Sequence, residues 1–95
     1  MDSLIKKFSD LNVYKDSFEL AMQVFKLTRQ FPVEEKYSLT DQILRASRSV
    51  PSNIAEAYSK RKYPKQFIFS LTVSESEANE TICWLHFSER CEYIT

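Results

Sequence analysis

Not one of the 95 residues is glycine. Tight hairpin turns depend on residues that accept positive φ, so a chain without glycine is a poor candidate for a hairpin-rich β fold. The same absence removes any glycine-rich loop that would cradle a phosphate. Three prolines are left as the main punctuation, at positions 32, 51 and 64. Between them the apolar residues recur with a helical period.

The clearest helical pattern runs from Leu39 to Lys62, with an apolar stripe at Leu39, Ile43, Ala46, Val50, Ile54 and Ala57. Spacing of three and four places these side chains on one helix face. Ser38 is expected to cap this helix, and Asp41 lies in the first turn where the macrodipole favours a carboxylate. Pro51 interrupts the hydrogen-bond ladder, because it has no N–H to offer the carbonyl of Ser47. The stripe keeps its phase from Val50 to Ile54, which predicts a continuous or mildly kinked helix. Ser47, Ser49, Ser52 and Asn53 are expected to supply bonds to the freed carbonyl.

Two further helices follow from the same reasoning. From Asn12, expected as an N-cap, a helix runs to about residue 30 with Tyr14, Phe18, Ala21, Phe25 and Thr28 on one seam and Leu20, Val24 and Leu27 beside them. Phe31-Pro32 ends it. Residues 33–37 make a short polar connection, so the next helix, at 39–62, returns antiparallel. Pro64 suits the first turn of a third helix, at 64–91, whose main seam reads Phe67, Leu71, Ser74, Ala78, Ile82, Leu85 and Ser88. Residues 1–10 show no clear period and are expected to be a mobile or partly ordered lead-in. The predicted architecture is one all-α domain over 1–95, an antiparallel up-and-down helical bundle.

Charge and cysteine usage narrow the function classes. The 13 basic and 13 acidic side chains cancel, so no overall field steers the molecule toward nucleic acid, and any such binding must come from a local patch. Cys83 and Cys91 lie on one helical segment, about 12 Å apart at 1.5 Å per residue, too far for an intrachain bridge. Free, buried thiols in a reducing, cytoplasmic compartment are the expectation. No apolar run has the length of a signal peptide core or a membrane span.

The residues that bear chemistry form no catalytic constellation. Glu75, Glu77 and Glu80 on one bundle helix raise a carboxylate-bridged metal site, but that class needs Glu-x-x-His pairs, and the single histidine, His86, follows Cys83 at that spacing. The expectation is no metal, no cofactor and no enzymatic activity. Arg45, Ser49, Asn53 and Glu56, with Glu77 and Glu80 from the third helix, form an expected structural polar cluster. Within it Arg45 is expected to pair with Glu77 or Glu80. Lys60, Arg61, Lys62 and Lys65, with Tyr58 and Tyr63 beside them, give the one basic patch that interleaves aromatics, as a phosphate-tracking and base-stacking surface requires.

The run Ser38-Leu39-Thr40-Asp41-Gln42-Ile43-Leu44-Arg45-Ala46-Ser47, followed by Ser49-Val50-Pro51-Ser52-Asn53-Ile54-Ala55-Glu56, resembles the signature of the bacterial four-helix-bundle family first described as the 23S rRNA intervening-sequence protein. Leu11 to Tyr14, Phe31-Pro32, Glu77 to Thr81, Trp84-Leu85 and Tyr93-Ile94 extend the resemblance over about residues 11–95. The chain departs from it at Ala57 and Glu92, where glycine is usual. The resemblance implies a fourth helix, which would begin at about Thr95 and lies outside this sequence. It also implies ring-shaped homopentamers and, through a relative, the accessory protein of diversity-generating retroelements, binding to nucleic acid and a reverse transcriptase. The implied function is a non-enzymatic oligomeric adaptor that binds itself and RNA, DNA or a nucleic-acid enzyme through Lys60, Arg61, Lys62 and Lys65. The alternative is a protein-interaction or assembly module with no nucleic-acid role, and neither reading involves a membrane.

Overall fold

The computed structural model describes residues 5–95. Its elements are helices α1 (Asn12–Thr28), α2 (Leu39–Ser59) and α3 (Pro64–Arg90), with 3-10 turns at Phe8–Asp10 and Val33–Glu35. No strand occurs among the described residues. Each helix ends one to three residues before its predicted limit, because Arg29-Gln30, Lys60 to Lys62 and Cys91 belong to turns.

Several local expectations are corrected. The lead-in is partly ordered, one of the two expected states: the carboxylate of Asp10 accepts the backbone N–H groups of Lys6 and Lys7 at 2.9 and 3.2 Å, and Phe8 packs edge-on against Tyr14 at 4.9 Å. Residues 1–4 lie outside the described chain. Leu11, not Asn12, occupies the cap position of α1, and Asn12 is the first helical residue. Ser38 does stand at the cap of α2, but its side chain makes no capping bond. Its hydroxyl donates instead to Glu35 Oε1 at 2.6 Å, and that same oxygen accepts the Leu39 N–H at 3.2 Å, so Glu35 caps the helix.

Pro51 is buried within an uninterrupted α2, as the phase of the stripe predicts. The polar groups around it bond other carbonyls than the one it frees. Ser47 Oγ donates to Leu44, Ser49 Oγ to Arg45, and both Ser52 Oγ and Asn53 Nδ2 to Ser49.

The core forms where α2 is held between its neighbours. Leu39, Ile43, Ala46, Ile54 and Ala57 of α2 are buried, together with Ala21 and Val24 of α1. On α3 the buried positions are Ser70, Ser74 and Ser88; Ser74 and Ser88 belong to the predicted seam, whose Leu71 and Ile82 are instead exposed. Small side chains let the α3 backbone approach α2 closely, and the Ser74 hydroxyl donates to the Val50 carbonyl at 3.0 Å. Both α1 and α3 pack on α2, but they are not packed on one another. The result is a slab of 46 × 25 × 18 Å.

The end of α3 is fixed by a Schellman turn. Tyr93 N–H donates to Ser88 O and Glu92 N–H to Glu89 O, both at 2.9 Å, with Glu92 at φ 63°. This delivers Tyr93 across the slab, where its ring packs on Phe31 at 5.5 Å and its hydroxyl donates to Glu35 Oε2 at 2.9 Å. One carboxylate thus joins the start of α2 to the end of α3.

Candidate functional site

Two surfaces compete for a functional role, the basic corner between α2 and α3 and the open side between α1 and α3. At the corner, the chain reverses over Lys60 to Tyr63. Lys60 Nζ pairs with Glu56 Oε2 at 3.0 Å, an i,i+4 contact. Arg61 folds back on the C-terminal turn of α2, its guanidinium 4.1 Å from the centre of the Tyr58 ring and its Nη1 donating to the Tyr58 carbonyl at 2.7 Å. Lys62 and Lys65 are exposed, with no ion pair among the described residues, and Tyr63 is exposed between them. Two of the four cations are therefore engaged locally and two face solvent.

The predicted polar cluster is divided rather than assembled. Arg45 pairs with Asp41 of its own helix, Nε to Oδ2 at 3.5 Å, and not with Glu77 or Glu80. Asp41 stands one turn away on the same face, so the pair forms without any tertiary constraint. Glu80 accepts the Trp84 indole N–H at 3.1 Å within α3. Arg45, Ser49, Glu77 and Glu80 do line one shallow polar depression between α2 and α3. Ser49 and Asn53 spend their side chains on α2 carbonyls, and Glu56 belongs to the basic corner through Lys60.

The open side is apolar. Leu20, Val24 and Leu27 of α1 and Ala78, Ile82 and Leu85 of α3 form its two walls, with Val50 and Ser47 of α2 as its floor. The void between them is about 310 Å³. Each wall repeats its apolar residues with a four-then-three spacing, the period of a helix seam that receives another helix. Sequence reasoning placed most of these residues on or beside the helix seams, but periodicity identifies a face without saying whether the chain itself covers it.

The Glu35–Tyr93 contact was not legible in the sequence. Bonds from Ser38, Tyr93 and the Leu39 N–H, in that order of weight, hold the Glu35 carboxyl below its ordinary range. The Tyr93 hydroxyl is pushed up to about 12, chiefly by its bond to Glu35. Cys83 and Cys91 are free thiols, but both are exposed, which corrects the expected burial. Among the described residues no cluster of His, Cys, Asp and Glu side chains is placed to hold a metal ion, and no helix is long and apolar enough to cross a membrane.

Fold and surfaces together define an all-α helical-bundle protein whose central helix carries the motif-bearing residues. The family model for the 23S rRNA-intervening sequence protein matches residues 9–95, and the chain belongs to that family. Searches of curated proteins and of solved structures returned no match.

Proposed function

We propose that this protein is a non-enzymatic assembly module, a three-helix portion of a four-helix arrangement whose open α1–α3 side is covered by a helix from a second copy of the chain. The observation that carries this reading is the surface left uncovered. The chain exposes 7032 Å². A compact monomer of its mass of 11.2 kDa would expose about 5,700 Å² by the usual scaling. The excess of roughly 1,300 Å² is more than the ~800 Å² that each partner contributes to a standard interface. The radius of gyration, 15.1 Å, likewise exceeds the ~12 Å expected for a compact domain of this length.

A second copy fits because the chain offers both halves of a contact. The α1–α3 groove needs an apolar ridge, and Ile68 and Leu71, one turn apart and both exposed, offer one near the start of α3. A groove on one copy and a different ridge on the next make a heterologous contact, which closes into a ring or propagates as a filament. The mass in solution tests this directly. Wild type is expected above 11.2 kDa at micromolar concentration. Leu20→Glu combined with Ile82→Glu is expected to return it to a monomer that keeps its helicity. A wild type that sediments as a compact monomer contradicts the reading.

The basic corner supports a second reading, a nucleic-acid adaptor, on the observation that exposed Tyr63 stands between the unpaired Lys62 and Lys65. A ring would repeat these charges and supply by multivalency what the neutral protomer lacks. RNA or DNA retention should then fall steeply with salt. Gln in place of Lys60, Arg61, Lys62 and Lys65 should abolish it with oligomeric state intact. No retention by the wild type at low salt leaves only the assembly module.

A further inference from the structure

The Glu35 carboxylate that ties the start of α2 to the end of α3 also lines an open recess of about 370 Å³ between those two helices. Trp84 and Phe87 of α3, buried Leu39 of α2 and Tyr37 of the preceding connection line the same recess. Three aromatic side chains therefore share one concavity with one acidic residue, and no basic residue lines it. The rings of Trp84 and Phe87 lie with centres 5.8 Å apart, and the indole N–H of Trp84 is held by Glu80 at 3.1 Å, which fixes that ring. Phe87 and Tyr37 are 54% and 86% exposed, so the chain itself leaves their faces open. Aromatic faces carry the negative end of the ring quadrupole and attract cations. The Tyr37 ring already does so, with Lys36 Nζ 5.3 Å from its centre.

Glu35 sets the kind of cation. The ion pairs among the described residues are Arg45–Asp41 and Lys60–Glu56, so the half-buried Glu35 carboxylate has no cationic partner among them. Its hydrogen bonds come from neutral donors instead: the Ser38 hydroxyl and the Leu39 N–H on Oε1 and the Tyr93 hydroxyl on Oε2. These bonds favour the ionised form and keep the negative charge in place. They also take three of the roughly four acceptor positions that a carboxylate offers. A primary ammonium brings three N–H donors and would find little to bond here. A quaternary ammonium brings none, and needs only a negative charge and aromatic faces.

We infer that the recess between the start of α2 and the end of α3 binds a trimethylammonium group, its methyls against Tyr37, Trp84 and Phe87 and its charge compensated by Glu35. The carboxylate acts through its field rather than through a hydrogen bond. Lys36 is the competitor built into the chain, since its own ammonium takes one of the three rings. The site is independent of the assembly reading, because none of its residues lines the α1–α3 groove.

Trp84 is the single tryptophan, so its fluorescence reads the site directly. The test is titration of the wild type with choline, beside dimethylbutanol, in which carbon replaces the quaternary nitrogen, and ethanolamine, which lacks the methyls. Choline is expected to saturate at one per chain and to bind about fivefold or more tighter than either control. Glu35→Gln keeps a side chain that can cap α2 and removes the charge, and should bring choline down to the level of dimethylbutanol. Tyr37→Leu, at an exposed position, should weaken choline about threefold with an unchanged far-ultraviolet spectrum, and Lys36→Gln should strengthen it. Amide shifts on adding choline to the wild type should map to Tyr37, Leu39, Trp84 and Phe87, which keeps the test decisive if a variant misfolds. Phosphatidylcholine vesicles distinguish the sources of the group: retention that Glu35→Gln abolishes assigns a lipid headgroup, and choline binding without retention assigns a free solute. The Leu20→Glu, Ile82→Glu variant should bind choline as wild type does, whatever its oligomeric state. Equal binding of dimethylbutanol, tighter binding of ethanolamine, an unaffected Glu35→Gln variant, shifts that map elsewhere, or no saturable response to choline would each overturn the inference.

Discussion

Glu92 is the residue where the absence of glycine has a visible cost. The Schellman turn that ends α3 needs a left-handed residue, and Glu92 takes φ 63° to supply it. A β-carbon in that region costs about 1–2 kcal/mol, so Glu92→Gly should raise stability by about 1 kcal/mol after the added freedom of the unfolded chain is deducted. Urea unfolding measures it, and a variant no more stable than the parent contradicts it. The turn was legible only as a departure from a family pattern at position 92; the contact it enables, Tyr93 on Glu35, had no sequence signal because 58 residues separate the partners. That contact has a pH signature. Glu35, held below its ordinary value, contributes stability that is present above the ordinary glutamate range and lost as pH falls through its lowered value. Tyr93, raised to about 12, contributes stability that is complete below the ordinary tyrosine value of 10.0 and lost as pH rises from there toward 12. The difference in thermal midpoint between wild type and Tyr93→Phe should therefore hold steady between about pH 6 and 9 and close between about 10 and 12. A gap that persists unchanged at high pH would rule the contact out.

At the level of the helices, α2 was readable almost residue by residue, and α3 in part. The stripe of α2 faces neighbours on both sides, so burial follows its apolar period, and of the predicted positions only Val50 is less than fully buried. For α3 the period gave the right helix and most of its inward face, with Ser74 and Ser88 buried and Phe67, Ala78 and Leu85 half-buried, but it also placed Leu71 and Ile82 there. Its inward positions are serines chosen for size, while its larger apolar residues, Leu71 and Ile82, look outward. Hydrophobic periodicity locates greasy side chains, and close helix approach is bought with small ones, so the two rules disagreed on this element. Ser74 discriminates between them. Ser74→Ala should cost about 1 kcal/mol through the lost bond to Val50 O. Ser74→Leu should cost about 1–3 kcal/mol more, because the added volume must push α3 away from α2. If Ser74→Leu is instead tolerated or stabilising, α3 does not approach α2 through its serine face.

For the whole molecule, the scale of the core sets the terms of stability. The hydrophobic side chains buried among the described residues are mostly Ala, Ile and Val, and the phenylalanines at 18, 69 and 87 remain exposed. A core this thin leaves little margin in a single chain, since small domains hide the smallest share of their surface. If a second copy supplies the missing cover, folding and association are linked, and apparent stability rises with protein concentration by mass action. The thermal midpoint of the wild type should therefore climb measurably between about 1 and 100 µM, a hundredfold range that corresponds to about 2.7 kcal/mol for a single linked association step. The Leu20→Glu, Ile82→Glu variant should show no such climb and should melt at or below the wild type at its most dilute. A wild-type midpoint that is independent of concentration across this range, with a cooperative transition, would mean that the three helices are stable alone and that the open α1–α3 side has no need of a second copy.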